Sequence, residues 1–70
     1  MNSRYEVVIF WSDKDDRFVA EVPELPGCMA DGATYQEAAR NADEAIQDWV
    51  ATAAQLGRVV PAPKRRQQYA

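Results

Sequence analysis

One amphipathic stretch, Thr34 to Leu56, dominates the second half of this 70-residue chain and constrains most of what it can fold into. Thr34 followed by Glu37 is a capping box, in which the hydroxyl accepts from a first-turn amide and the carboxylate reaches back. Apolar residues then recur at Tyr35, Ala38, Ala39, Ala42, Ala45, Ile46, Trp49, Val50, Ala53 and Leu56. That is the rhythm of a helix with one buried face. Gln36, Glu37, Arg40, Asp43, Glu44, Gln47 and Asp48 supply the other face. Gly57 is suited to the C′ position, and Arg58 complements the negative helix end. Alanines dominate the inner stripe, so the helix can lie close to whatever it covers.

The first half must supply that surface, and its pattern is that of strands. Tyr5, Val7, Ile9 and Trp11 alternate with Glu6, Val8 and Phe10, and the odd-numbered set makes the better core face. Residues 12–16 form a polar turn that closes a hairpin. Phe18, Ala20 and Val22 alternate with Val19 and Glu21 as a second strand, which Pro23 ends because it has no amide hydrogen. Leu25-Pro26-Gly27 is a tight turn with Gly27 free to take positive φ. Cys28-Met29-Ala30 reads as a short third strand, stopped by Asp31-Gly32. Val59-Val60 has the composition of a brief fourth strand before Pro61 and Pro63 end regular structure. The expected fold is α+β: a three-stranded antiparallel meander with one long helix on one face. The domain is expected over residues 1–63, with a basic tail at 64–70.

A chain of this length buries only about 60% of its unfolded surface, so core burial barely offsets ordering entropy. A single cysteine, Cys28, excludes an internal disulfide, and there is no histidine for a zinc site or a His-based triad. Association is the remaining source of stability. The uncovered sheet face would carry Glu6, Val8, Phe10, Val19 and Glu21. Val8, Phe10 and Val19 form an apolar surface of the kind that meets a partner, and they are expected to be the oligomer face.

Charge narrows the partner. All eleven Asp and Glu lie between residues 5 and 57, offset there only by Lys14, Arg17 and Arg40, a formal balance of −8. Such a body repels nucleic-acid phosphates and attracts cationic proteins. Glu21, Glu24, Asp31 and Asp43 are the acids expected to contact one. Asp13, Asp15 and Asp16 lack EF-hand spacing and read as a solvated turn. Cys28 follows a Pro-Gly turn with no base placed to make a thiolate, and reads as a small core residue. Trp11, Phe18 and Trp49 could form a base-stacking platform, but their strand and helix positions read as core. No catalytic residue, metal site or cofactor site is expected. The apolar run from Tyr5 to Trp11 is too short and too polar for a signal peptide or a membrane span, which gives a cytoplasmic expectation.

The strings Tyr5-x-Val7-Val8-Ile9, Phe18-Val19-Ala20-Glu21-Val22-Pro23-Glu24-Leu25-Pro26-Gly27-Cys28, Asp31-Gly32 and Thr34-Tyr35-x-Glu37-Ala38 resemble the HicB family of antitoxins. The likeness runs from Tyr5 to Pro63 and includes the ending at Gly57, Pro61 and Pro63. It implies a truncated RNase H-like fold without nuclease activity. It also implies a protein that binds and neutralises HicA, a small basic mRNA-cleaving RNase with a double-stranded-RNA-binding fold, and that self-associates as dimers or tetramers. Many family members add a C-terminal helix-turn-helix or ribbon-helix-helix domain for operator DNA. The chain to Ala70 leaves no room for either, so direct DNA binding is not expected. The competing reading is a stand-alone oligomeric interaction or regulatory module of the same family without a toxin partner.

Overall fold

The computed structural model describes residues 4–63. Within them the chain forms β1 (Val8–Ser12), β2 (Arg17–Glu21), β3 (Met29–Gly32) and α1 (Tyr35–Gln55). The strands make one antiparallel sheet in the order β1-β2-β3, and α1 lies across one face of it. This is the α+β meander-and-helix that the sequence pattern predicts.

The register explains where the ladders stop. Val8 faces Glu21 and Ser12 faces Arg17 across the first hairpin. Continued backwards, the same register would set Glu6 against Pro23, which has no N–H to give. β1 therefore begins at Val8 rather than Tyr5, although Tyr5 and Val7 still pack on the core. At the hairpin tip Asp16 takes a left-handed φ of 54°, a conformation that Asp tolerates better than most residues. The Ser12 hydroxyl holds this tip by accepting from the Asp15 amide at 3.2 Å and donating to Asp15 Oδ2 at 3.0 Å.

The expected end of the third strand at Asp31-Gly32 is corrected by the structure. Asp31 pairs with Val19 and Gly32 with Phe18, so both lie inside β3. The strand instead starts one residue later, at Met29. Cys28 turns its amide to the Leu25 carbonyl at 2.9 Å, and its own carbonyl accepts from Val22 at 3.0 Å. Gly32 earns its place by what it lacks: a Cβ there would sit 2.5 Å from the Ala38 amide nitrogen and 2.9 Å from the Glu37 carbonyl carbon. The first turn of α1 rests directly on this backbone.

Both helix ends are capped as the sequence predicts. Thr34 is extended at the N-cap, and its Oγ1 accepts from Glu37 N at 3.0 Å. Glu37 Oε1 reaches back to the Ala33 amide at 2.8 Å, one residue beyond the usual capping-box partner. At the other end Gly57 takes φ 71°. Gly57 N donates to Ala54 O at 3.2 Å and Arg58 N to Ala53 O at 2.8 Å, the paired bonds of a Schellman motif.

The core has two parts. Ala20, Ala38 and Ala42 make a close-packed end, with Val7, Ile9, Phe18 and Ala30 against it. Val22, Leu25, Cys28 and Ile46 make a bulkier end, flanked by Tyr5, Val7, Ala45, Trp49 and Val50. The buried stripe of α1 is Ala38, Ala42, Ile46 and Ala53, narrower than its apolar periodicity. Tyr35, Ala39 and Leu56 are exposed. Trp11 points to the helix side but lies 47% exposed, because α1 sits mainly over β3 and covers β1 least. Leu25, expected only as part of a turn, is fully buried, and the Trp49 indole clamps its loop by donating to Pro26 O at 2.9 Å. No fourth strand occurs at Val59-Val60 among the described residues. That segment runs past the start of the sheet instead, where the Tyr5 hydroxyl donates to the Pro61 carbonyl. The tail assigned to 64–70 lies outside the described residues.

Two substitutions test this account in thermal or denaturant unfolding. Thr34→Ala removes the N-cap acceptor and is expected to cost about 1 kcal/mol. Gly32→Ala forces α1 away from β3 and is expected to cost about 1–3 kcal/mol, the range for overpacking, although alanine is otherwise the better residue in a strand. A Gly32→Ala protein as stable as the parent would refute the close contact.

Candidate functional site

The helix covers one side of the sheet only. Alternation along the paired strands sends Ile9, Trp11, Phe18, Ala20, Ala30 and Gly32 towards α1. The same alternation sends Val8, Phe10, Ser12, Arg17, Val19, Glu21, Met29 and Asp31 to the opposite side. Among the described residues no element covers that side. Its centre is apolar. Val8, Phe10 and Met29 are 42%, 39% and 54% exposed, and Val19 is buried among its neighbours at 8%.

The rim of this face is acidic. Glu21 lies across from both Val8 and Met29, and Asp31 lies across from Val19. Among the described residues Arg17 is the one basic residue on the paired strands of this face, and its charge is already engaged. Its Nε stands 3.4 Å from Asp31 Oδ2, and its Nη2 stands 3.5 Å from Glu37 Oε1. These half-exposed pairs add little stability. They offset part of the charge of Asp31, and Glu21 adds a second carboxylate beside the apolar residues. An apolar centre inside a polar rim is the anatomy of a protein interface.

Two of the four acids predicted for a partner, Glu21 and Asp31, are thus brought together with the predicted oligomer face of Val8, Phe10 and Val19. The other two are elsewhere: Glu24 lies in the loop between β2 and β3, and Asp43 on α1, on the far side of the sheet. Met29 was missed because its strand looked too short to place it. The signal was present in the two-residue spacing of Met29 and Asp31, once Gly32 is counted in the strand. A shallow depression of about 300 Å³ opens on this face, lined by Asp15, Val19, Met29, Ala30 and Asp31.

The remaining candidates behave as core or turn. Cys28 is buried, and burial pushes its thiol pKa up, away from thiolate chemistry. Trp11 and Phe18 meet edge-to-face at 5.0 Å, but Trp49 is held at the other end of the molecule by Pro26. Tyr35 takes its place, 4.5 Å from Phe18 between ring centroids. Among the described residues no group of three His, Cys, Asp or Glu side chains is placed to hold a metal ion. No helix there is long and apolar enough to cross a membrane.

Comparison with known proteins supplies the family. The family model described as HicB-like antitoxin of bacterial toxin-antitoxin system matches residues 5–70. A protein of Thermoplasma acidophilum, UPF0150 protein Ta0767, is 44% identical over 43 residues, which cover 61% of this chain and 62% of that protein. The matched stretch therefore spans less than two thirds of that relative. No solved structure matches the chain. With the family model matching almost its whole length, the chain belongs to the HicB-like antitoxin family of bacterial toxin-antitoxin systems.

Proposed function

We propose that this chain neutralises a small basic HicA-like mRNA-cleaving RNase by binding over its RNA-contacting surface, with no catalysis of its own. The observation that carries this reading is the uncovered sheet face, with Val8, Phe10, Val19 and Met29 inside a border of Glu21 and Asp31. An RNase that grips phosphates presents cationic groups. Glu21 and Asp31 compete for those groups, while the apolar centre supplies the desolvated contact that slows dissociation. Family membership supports a toxin partner of this kind. We assign binding to residues 1–63 and leave the basic tail outside the contact.

The same face serves both contacts expected from the sequence. Self-association through Val8, Phe10 and Val19 and binding of the toxin therefore exclude one another, and the toxin displaces the second copy.

The test is co-expression with a small basic RNase encoded beside this chain, scored by growth rescue and co-purification. Phe10→Ser is expected to weaken the complex by about 1–3 kcal/mol, chiefly through faster dissociation. Glu21→Lys is expected to slow association about tenfold at low salt, with the difference shrinking as ionic strength rises. Full RNase activity with this protein in excess would sink the reading.

A further inference from the structure

The depression on the uncovered face sets acidic and apolar side chains side by side. It is open and shallow, and Asp15, Val19, Met29, Ala30 and Asp31 line it, so two carboxylates stand beside apolar side chains. The surroundings fix those acids in place. Asp15 is anchored to the Ser12 hydroxyl at 3.0 Å, on a tip set by Asp16. Asp31 is on β3, opposite Val19, with its backbone carbonyl tied to Asn41 Nδ2 at 2.8 Å. Asp31 is shared with Arg17, but its side chain remains 60% exposed, so one edge of the carboxylate still faces solvent. Lys14 lies in the same hairpin tip and offsets part of the charge.

We propose that this depression is the anchor point of the docking face and takes one arginine or lysine side chain of a basic protein partner. The aliphatic stem lies along Val19 and Met29, and the charged head sits between Asp15 and Asp31. Long cationic side chains combine an apolar stem with a hydrated head, and this slot offers both surfaces in that order. The depression, about 300 Å³ in volume, has room for one such side chain. Charge complementarity selects a cationic protein over nucleic acid, whose phosphates would meet the two aspartates. The same argument disfavours a second copy placed by a two-fold axis, which would bring Glu21 and Asp31 of both copies to one seam. The inference rests on the proposed function for the partner's class, but the slot can be tested without that partner.

The experiment is an amide chemical-shift titration of the full chain with N-acetyl-arginine amide, with N-acetyl-citrulline amide as the uncharged isostere. Shifts are expected at Val19, Met29, Ala30 and Asp31 with the arginine probe. The citrulline probe is expected to bind about two- to fivefold more weakly, the range that one exposed ion pair supplies. The double variant Asp15→Asn, Asp31→Asn, checked for a native amide spectrum, is expected to lose that discrimination. Equal responses to both probes, shifts on another face, or an unchanged double variant would overturn the slot. Sedimentation of the parent and the double variant supplies the competing outcome: if the parent self-associates and the variant does not, the occupant is a second copy and the proposal fails. If arginine fills the slot but no RNase is neutralised, the proposed function fails and the slot stands. If an RNase is neutralised equally by the double variant, the reverse holds.

Discussion

No side chain fits between Gly32 and the first turn of α1. A Cβ there would overlap the Ala38 amide and the Glu37 carbonyl carbon, and the rest of the packing follows from that contact. With the helix pressed on β3 at this end, its inner residues there must be small, and they are Ala38 and Ala42 against Ala20. Towards the other end the filling side chains grow to Ile46, Val22 and Leu25. The loop between β2 and β3 folds inward to bring Leu25 into that wider space, and Trp49 secures it through Pro26. Thr34 and Glu37 cap the helix where it meets Gly32, so one short segment sets both the start of α1 and its distance from the sheet.

A helix committed to one face this closely leaves the other face without a cover from the described residues. In a larger domain a second layer would bury Phe10, Val8 and Met29. Here they stay at the surface, with Ser12, Arg17, Glu21 and Asp31 as the polar residues of the paired strands around them. Arg17 is informative for this reason. It stands on the face yet is directed into Asp31 and Glu37, so it ties β2 to β3 and to the helix start without making the rim neutral. The charge pattern and the apolar centre thus have a common origin in the strand register, which puts Glu21 and Asp31 in the same row set as Val8, Val19 and Met29.

Much of this was legible in the residues themselves, where the physics is local. The caps at Thr34 and Gly57, the hairpin turn, which occupies 13–16 with Ser12 in β1, the positive φ of Gly27 and the alternation that separates Ile9 from Phe10 all depend on near neighbours. What was not legible depends on residues distant in sequence. The extension of β3 through Asp31 and Gly32 requires knowing that they pair with Val19 and Phe18 and that the helix, not a turn, comes up against Gly32. Leu25 looks like a turn residue until Ile46 is placed over it. Trp11 looks like core until α1 is found lying over β3. The grouping of Glu21 and Asp31, with Glu24 and Asp43 left aside, follows from the ladder register, which no single segment carries.

The convergence of two expected contacts on one face has a further consequence. If separate surfaces served self-association and toxin binding, the two equilibria would be independent. On a shared face they are linked, and each reduces the apparent affinity of the other in proportion to the fraction of chain already engaged. A second copy can offer the apolar centre a matching apolar surface, but it meets the rim with like charge. A cationic protein satisfies both parts of the face. A face shared in the way proposed would discriminate between its occupants through its carboxylates, by penalising the acidic copy, while Val8, Phe10 and Val19 would supply attraction that either occupant could use.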